Sequence, residues 1–177
     1  MSANQNTLGR ISGAVGRFEA IGIVAALLIL CIALTLSVDT FATSYNMTVV
    51  IRQASFVGII ALGQTLVLLI GGIDLSVGAG AGLSAIFGAL LLTALGVHPY
   101  LVIPLTCLFG FALGLINGAL VAYARLNPFI VTLASWEIFA GATLVITQGN
   151  PIRPLGPVFG WFGKGDILGV PVPVVAF

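Results

Sequence analysis

Apolar residues fill this chain in long blocks, and short polar interruptions set the length of each block. Residues 21–38 carry no charge, 39–46 (DTFATSYN) are polar, and 53–70 are again apolar. GGIDLSVG, residues 71–78, breaks the pattern before a third run at 79–96. Val97, His98 and Pro99 make a short turn, 101–123 is a fourth run, and RLNP at 125–128 is a second short turn. The fifth run, 129–146, contains one acid, Glu137. Residues 147–166 are rich in glycine and proline, and a sixth apolar run opens at 167, inside which the chain ends.

The five complete runs are about 18–23 residues long, enough for a helix to cross a hydrocarbon core of roughly 30 Å. Backbone in lipid must find its hydrogen bonds within the protein, which leaves helices or closed barrels. These runs are continuous and lack the alternation of a barrel strand. The pattern therefore predicts an all-α integral membrane protein, a polytopic bundle of about five transmembrane helices plus a partial sixth. Residues 1–20 are expected to be a cytoplasmic N-terminal segment and 21–177 a transmembrane domain truncated at its C-terminal end. The first run exceeds a signal-peptide core of about 7–15 residues and no small-residue cleavage site follows it, so it reads as an uncleaved span. Arg10 and Arg17 place the N-terminus inside, which puts the Arg125 turn inside and the 147–166 loop outside. Arg153 and Lys164 in that loop run against the same rule.

Composition sharpens this picture. The chain is 59% hydrophobic and 6% charged, with a mean hydropathy of +1.21; a soluble domain carries about 25% charged residues. The net charge of +1, with no basic run, gives no footprint for nucleic acid. Cys31 and Cys107 sit in apolar runs with no Cys/His spacing, so no metal site is expected. HExxH, GxSxG and a Walker A loop are all missing, so the chain does not read as an enzyme, and any use of ATP falls to a separate subunit. The 23 glycines are partly patterned. Gly110, Gly114 and Gly118 recur every four residues on one face of the fourth helix, and Gly78 and Gly82 do so at the start of the third, as close helix packing requires.

Candidate chemistry is confined to a few polar residues inside apolar surroundings. Gly71 and Gly72 permit a chain reversal or an unwound stretch. Asp74 or Ser76 can then cap the following helix, line a solute path between broken helices, or do both. Glu137, near the middle of the fifth run, is either a group on that path or a hydrogen-bonded acid locking helices together. The amides of Gln64, Asn117 and Asn127 suit solute hydroxyls and interhelical hydrogen bonds equally. His98 reads as a turn residue, and Trp161 as an anchor at the membrane–water interface.

Three blocks in order carry a family resemblance: RQASFVGIIALGQTLVLLIGGIDLSVGAG (52–80), INGALVAYARLNPFIVTLA (116–134) and GNPI (149–152). The chain resembles the permease subunits of ribose-type ABC sugar importers, over about residue 45 to the end. The resemblance implies a path-forming subunit for a monosaccharide such as ribose in a bacterial inner membrane. It implies a second permease subunit, identical or homologous, two cytoplasmic ATP-binding subunits that use the ATP, and a periplasmic or extracellular sugar-binding protein. No cofactor is expected on this chain. The family pattern often has an arginine just before the glycine matched by Gly141, where this chain has Ala140. Family members also continue with further helices, so the chain corresponds to an N-terminal half. Two other classes fit the residues alone: an ion-coupled secondary carrier using Asp74 or Glu137, and a non-transporting structural membrane fragment.

Overall fold

A computed structural model describes residues 21–176, and the expected cytoplasmic segment 1–20 lies outside them. The chain divides into two compact units at residue 51. The described part of the first unit holds helix α1 (Ile21–Ser37) and the first turns of α2 (Ser44–Leu69). The second holds the rest of α2, then α3 (Val77–Thr93), α4 (Pro99–Ala122), α5 (Pro128–Thr147) and α6 (Pro157–Lys164). Strands β1 (Asp166–Ile167) and β2 (Val170–Pro171) and the short helix α7 (Val172–Ala176) follow.

This is a helical membrane architecture. Three helices, α2, α4 and α5, are long and apolar enough to cross a membrane, and α1 and α3 are shorter apolar helices. The helix ends follow from local chemistry. α2 starts well before the apolar run at 53 because Thr43 caps it, its hydroxyl accepting from Asn46 N at 3.3 Å. α5 starts at a proline behind Asn127, whose side chain accepts from Phe129 N at 2.9 Å. α2 stops where Gly71 takes φ +79°: Gly72 N donates to Val67 O and Gly71 N to Leu68 O, the two bonds of a glycine-terminated helix.

Two segments differ from the sequence expectation. The loop expected over 147–166 contains α6, and the apolar run at 167 opens as an antiparallel hairpin with Ile167 opposite Val170. Leu168 and Gly169 both take positive φ, as a tight two-residue hairpin turn demands. Helix α7 follows, with Pro173 in its first turn, where a missing N–H costs nothing. Arg52 on α2 ties this region down, donating to Lys164 O at 3.2 Å and pairing with Asp166 at 3.5 Å.

α3 is the centre of the bundle and packs on both α4 and α5, which touch each other less. On its α4 side the contact is close and apolar. Val102 is fully buried, and Phe87 stacks on Phe109 with ring centroids 4.3 Å apart. Gly88 permits this approach: a Cβ there would stand 2.5 Å from Thr106 Oγ1 and 3.5 Å from Val102 Cγ1. Most large apolar side chains point outward, among them Ile29, Leu66, Phe111 and Ile138, as lipid-facing side chains do in a bundle held by small residues. Gly88→Leu should therefore cost about 1–3 kcal/mol by overpacking, seen as a lower unfolding midpoint in detergent, whereas Gly118→Leu, where a Cβ meets nothing within 4 Å, should leave that midpoint nearly unchanged.

Candidate functional site

The α2–α3 break and the α4–α5 turn lie at the same end of the second unit. Between them is a cleft of about 210 Å³ whose lining includes Gly71, Gly72, Asp74, Gly114, Asn117, Gly118 and Thr132. Its geometry follows from the unwound segment 70–76, which is not at the rim. Ser76 touches Asn117, five residues inside the end of α4, and Asn117 touches Ser135, seven residues inside α5. At 1.5 Å per residue these partners lie about 8 and 10 Å in from their helix ends. Non-helical backbone at such depth persists only where protein or a cavity supplies its hydrogen bonds.

Protein supplies most of them here. With its amide oriented to satisfy both partners, Gln64 donates to Asp74 O and accepts from Asp74 N, each at 3.2 Å. Thr132 Oγ1 donates to Ile73 O at 3.2 Å and lies 2.8 Å from Pro128 O in its own helix. Asp74 Oδ1 accepts from Ser76 N at 2.8 Å and from Ser76 Oγ at 2.6 Å. Gly80 N closes the start of α3 on Ser76 O at 2.7 Å.

The side chains form a directed chain. Ser135 Oγ donates to Asn117 Oδ1 at 2.6 Å, Asn117 Nδ2 donates to Ser76 Oγ at 2.9 Å, and Ser76 Oγ donates to Asp74 Oδ1. Each hydroxyl has one proton, so the order is fixed by the carboxylate at its end, an acceptor only when ionised. Ser76, Asn117, Thr132 and Ser135 are all buried, while Asp74 is half-buried beside the cleft. Among the described residues both bonds from Ser76 to the Asp74 carboxylate go to Oδ1, and Asp74 lines the cleft.

The structure thus brings together Gln64, Gly71, Gly72, Asp74, Ser76 and Asn117. Asn127 lies outside the cleft, as the cap of α5. Glu137 lies apart from it, exposed on α5. Asp74 does not cap α3 at its free N–H groups; it holds Ser76 two residues on, and the Ser76 side chain makes no cap bond to the helix. Of the patterned glycines, Gly114 and Gly118 line the cleft and Gly82 lines a groove between α3 and α5. Gly110 approaches α3, where a Cβ would stand 3.2 Å from Ser84 Oγ, and Gly78 faces open space. The reading of residues passed over Thr132 and Ser135, although two hydroxyls three apart in an apolar run share one helix face. Among the described residues no cluster of three or more His, Cys, Asp or Glu could hold a metal.

A broken helix held inside a bundle of apolar helices is the architecture of a multi-pass membrane protein. The chain belongs to the family described as branched-chain amino acid transport system, permease component, whose model matches residues 46–153. It is 43% identical over 162 residues to the ribose import permease protein RbsC of Bacillus subtilis, covering 90% of this chain and 50% of that protein. It is 42% identical over 142 residues to the D-allose transport system permease protein AlsC of Escherichia coli K12, covering 80% and 43%. With the autoinducer 2 import system permease protein LsrD of Yersinia enterocolitica it shares 39% identity over 127 residues, covering 68% and 38%. The chain spans about half the length of the relatives it matches. No solved structure matches it.

Asn117→Ala should leave Ser76 Oγ without its donor and Ser135 Oγ without its acceptor, at a cost of about 1–3 kcal/mol. Thermal unfolding in detergent should show the loss. Ser135→Ala, which removes only the outermost member, should lose less.

Proposed function

We propose that this chain is part of the membrane-spanning permease subunit of an ATP-driven importer for a monosaccharide such as ribose. The observation that carries the reading is the family match across 46–153, which encloses the whole hydrogen-bonded break. Relatives named for ribose and allose import favour a monosaccharide as cargo. Sugars are rich in hydroxyls, and the cleft offers the Asp74 carboxylate on a glycine-lined floor. The subunit itself is a passive path and not an enzyme. No cofactor is held by this chain, and ATP is hydrolysed by cytoplasmic ATP-binding subunits. A second permease subunit, the same or homologous, completes the membrane part, and a periplasmic or extracellular binding protein delivers the sugar.

With the N-terminus in the cytoplasm of a bacterial cell, two crossings put the α2–α3 break and four put the α4–α5 turn on the cytoplasmic side, and the fifth leads out to 147–166. Arg125 then sits inside, and the cleft beside Asp74 is the inner end of the path, near the ATP-driven machinery. α6 and the hairpin lie outside, where Trp161 meets the interface. The roles of Gln64, Asn117 and Ser76 are to hold Asp74 and its backbone in place for that function.

The test is uptake by the assembled importer in vesicles with its binding protein. Sugar uptake should follow internal ATP and persist when ion gradients are collapsed; loss with the gradient at constant ATP would make the protein a secondary carrier. Asp74→Ala, at equal expression, should reduce uptake about tenfold, the effect of about 1.4 kcal/mol on an equilibrium, without changing the binding protein's sugar affinity. Asp74→Asn keeps an oxygen for Ser76 and should retain more uptake than Asp74→Ala. Normal uptake in Asp74→Ala would remove this residue from the mechanism.

A further inference from the structure

Glu137 is the tenth of the 20 residues of α5, about 14 Å from the helix start at 1.5 Å per residue. That is the middle of a hydrocarbon core of roughly 30 Å. The residue is exposed, and no hydrogen-bond or ion-pair partner stands against it among the described residues. A charged side chain at this depth costs about 2.5–3.5 kcal/mol on insertion scales, so such groups face protein or a water-filled cavity.

The surroundings of Glu137 separate those two possibilities. On its face of α5 the neighbours three, four and seven residues away include Ile130, Ala134, Gly141 and Leu144, all exposed. No second polar side chain joins the carboxylate on this stripe, whereas a wet path needs polar groups along its length. Ala134 and Gly141, one turn to either side, give a neighbouring backbone room to approach. A Cβ on Gly141 would meet nothing within 4 Å.

Of the described basic residues, Arg125, Arg153 and Lys164 lie in loops or at a helix end, and Arg52, inside α2, is paired with Asp166. Residues 21–38 contribute no basic or amide side chain. Two copies meeting through this stripe about a two-fold axis would set carboxylate against carboxylate, acceptor against acceptor. We propose that the Glu137 stripe of α5 is a docking surface for another transmembrane helix, one that presents a basic or amide hydrogen-bond donor at mid-membrane depth. Charge complementarity selects that partner: the carboxylate supplies acceptors only, and a Lys, Arg, Asn or Gln on the facing helix supplies the protons. The inference concerns packing within the membrane and does not depend on the cargo or on ATP.

Spin labels placed singly at Ala134→Cys and Gly141→Cys, in a Cys31→Ser, Cys107→Ser background of the full protein in its native assembly and in lipid, test this directly. Helix docking predicts loss of accessibility to both oxygen and a water-soluble nickel chelate at each position. High oxygen accessibility would mean lipid, high nickel accessibility would mean a water-filled path, and either overturns the proposal. A second measurement separates the donor contact from shape. Glu137→Leu should lower the dissociation temperature of the assembly more than Glu137→Gln, which still accepts a hydrogen bond. Equal temperatures for Leu, Gln and the parent protein would overturn the donor contact. Loss of ATP-driven sugar uptake by the parent protein would overturn the transport reading and leave this result untouched.

Discussion

Everything at the candidate site depends on one constraint: peptide groups that leave a helix inside a membrane must be satisfied by other parts of the protein. Segment 70–76 meets it with side chains from two helices and from the break itself: Gln64 of α2 bonds the backbone of Asp74, Thr132 of α5 bonds Ile73 O, and Asp74 bonds Ser76 N. Asn117 of α4 and Ser135 of α5 join this network through the Ser76 hydroxyl. Each unsatisfied group at this depth would cost several kcal/mol. The unwound conformation is therefore inseparable from the positions of α4 and α5.

The same solvent logic explains the inverted interior. Buried residues in the bundle include Ser76, Ser84, Asn117, Thr132 and Ser135, while leucines and isoleucines cover the outside. In water this distribution would be unstable. In lipid no hydrophobic force draws helices together, so close packing and interhelical hydrogen bonds have to do it. The two kinds of contact are segregated around α3: its body meets α4 through Val102, Gly88 and the Phe87–Phe109 stack, and the break before it meets α4 and α5 through hydrogen bonds.

The helical membrane architecture was legible because a span needs about 20 apolar residues and little else. The break was legible too, because two glycines and an aspartate cannot continue an apolar run. What hydropathy could not supply was direction. Asp74 reads as a cap, a path group or both, and only the structure shows its carboxylate holding Ser76. Asn127 looked like Asn117 on paper, yet a proline after it makes a cap of one, and burial beside Ser135 makes a crosslink of the other. The glycine spacing marked faces without saying which were filled: Gly110 approaches Ser84, while Gly114 and Gly118 line empty space. The start of α2 was missed because Thr43 caps it outside the apolar run, and hydropathy is blind to caps.

The placement of hydrogen bonds also sets where the bundle can yield. At the cleft end, moving α4 or α5 against the break would separate Asn117 from Ser76 or Thr132 from Ile73, and each loss is costly where water cannot enter to replace it. If water does enter, that penalty falls, because it can bond to the groups the protein releases. The cleft lies against this same cluster, lined by Gly114 and Gly118 and by the apolar side chains of Val67, Ile70 and Val121. The firmness of the tie is therefore governed by hydration of the cleft. A dry cleft locks the break to both helices, and a wet one loosens it. Structure and access to solvent are coupled here through the same six side chains.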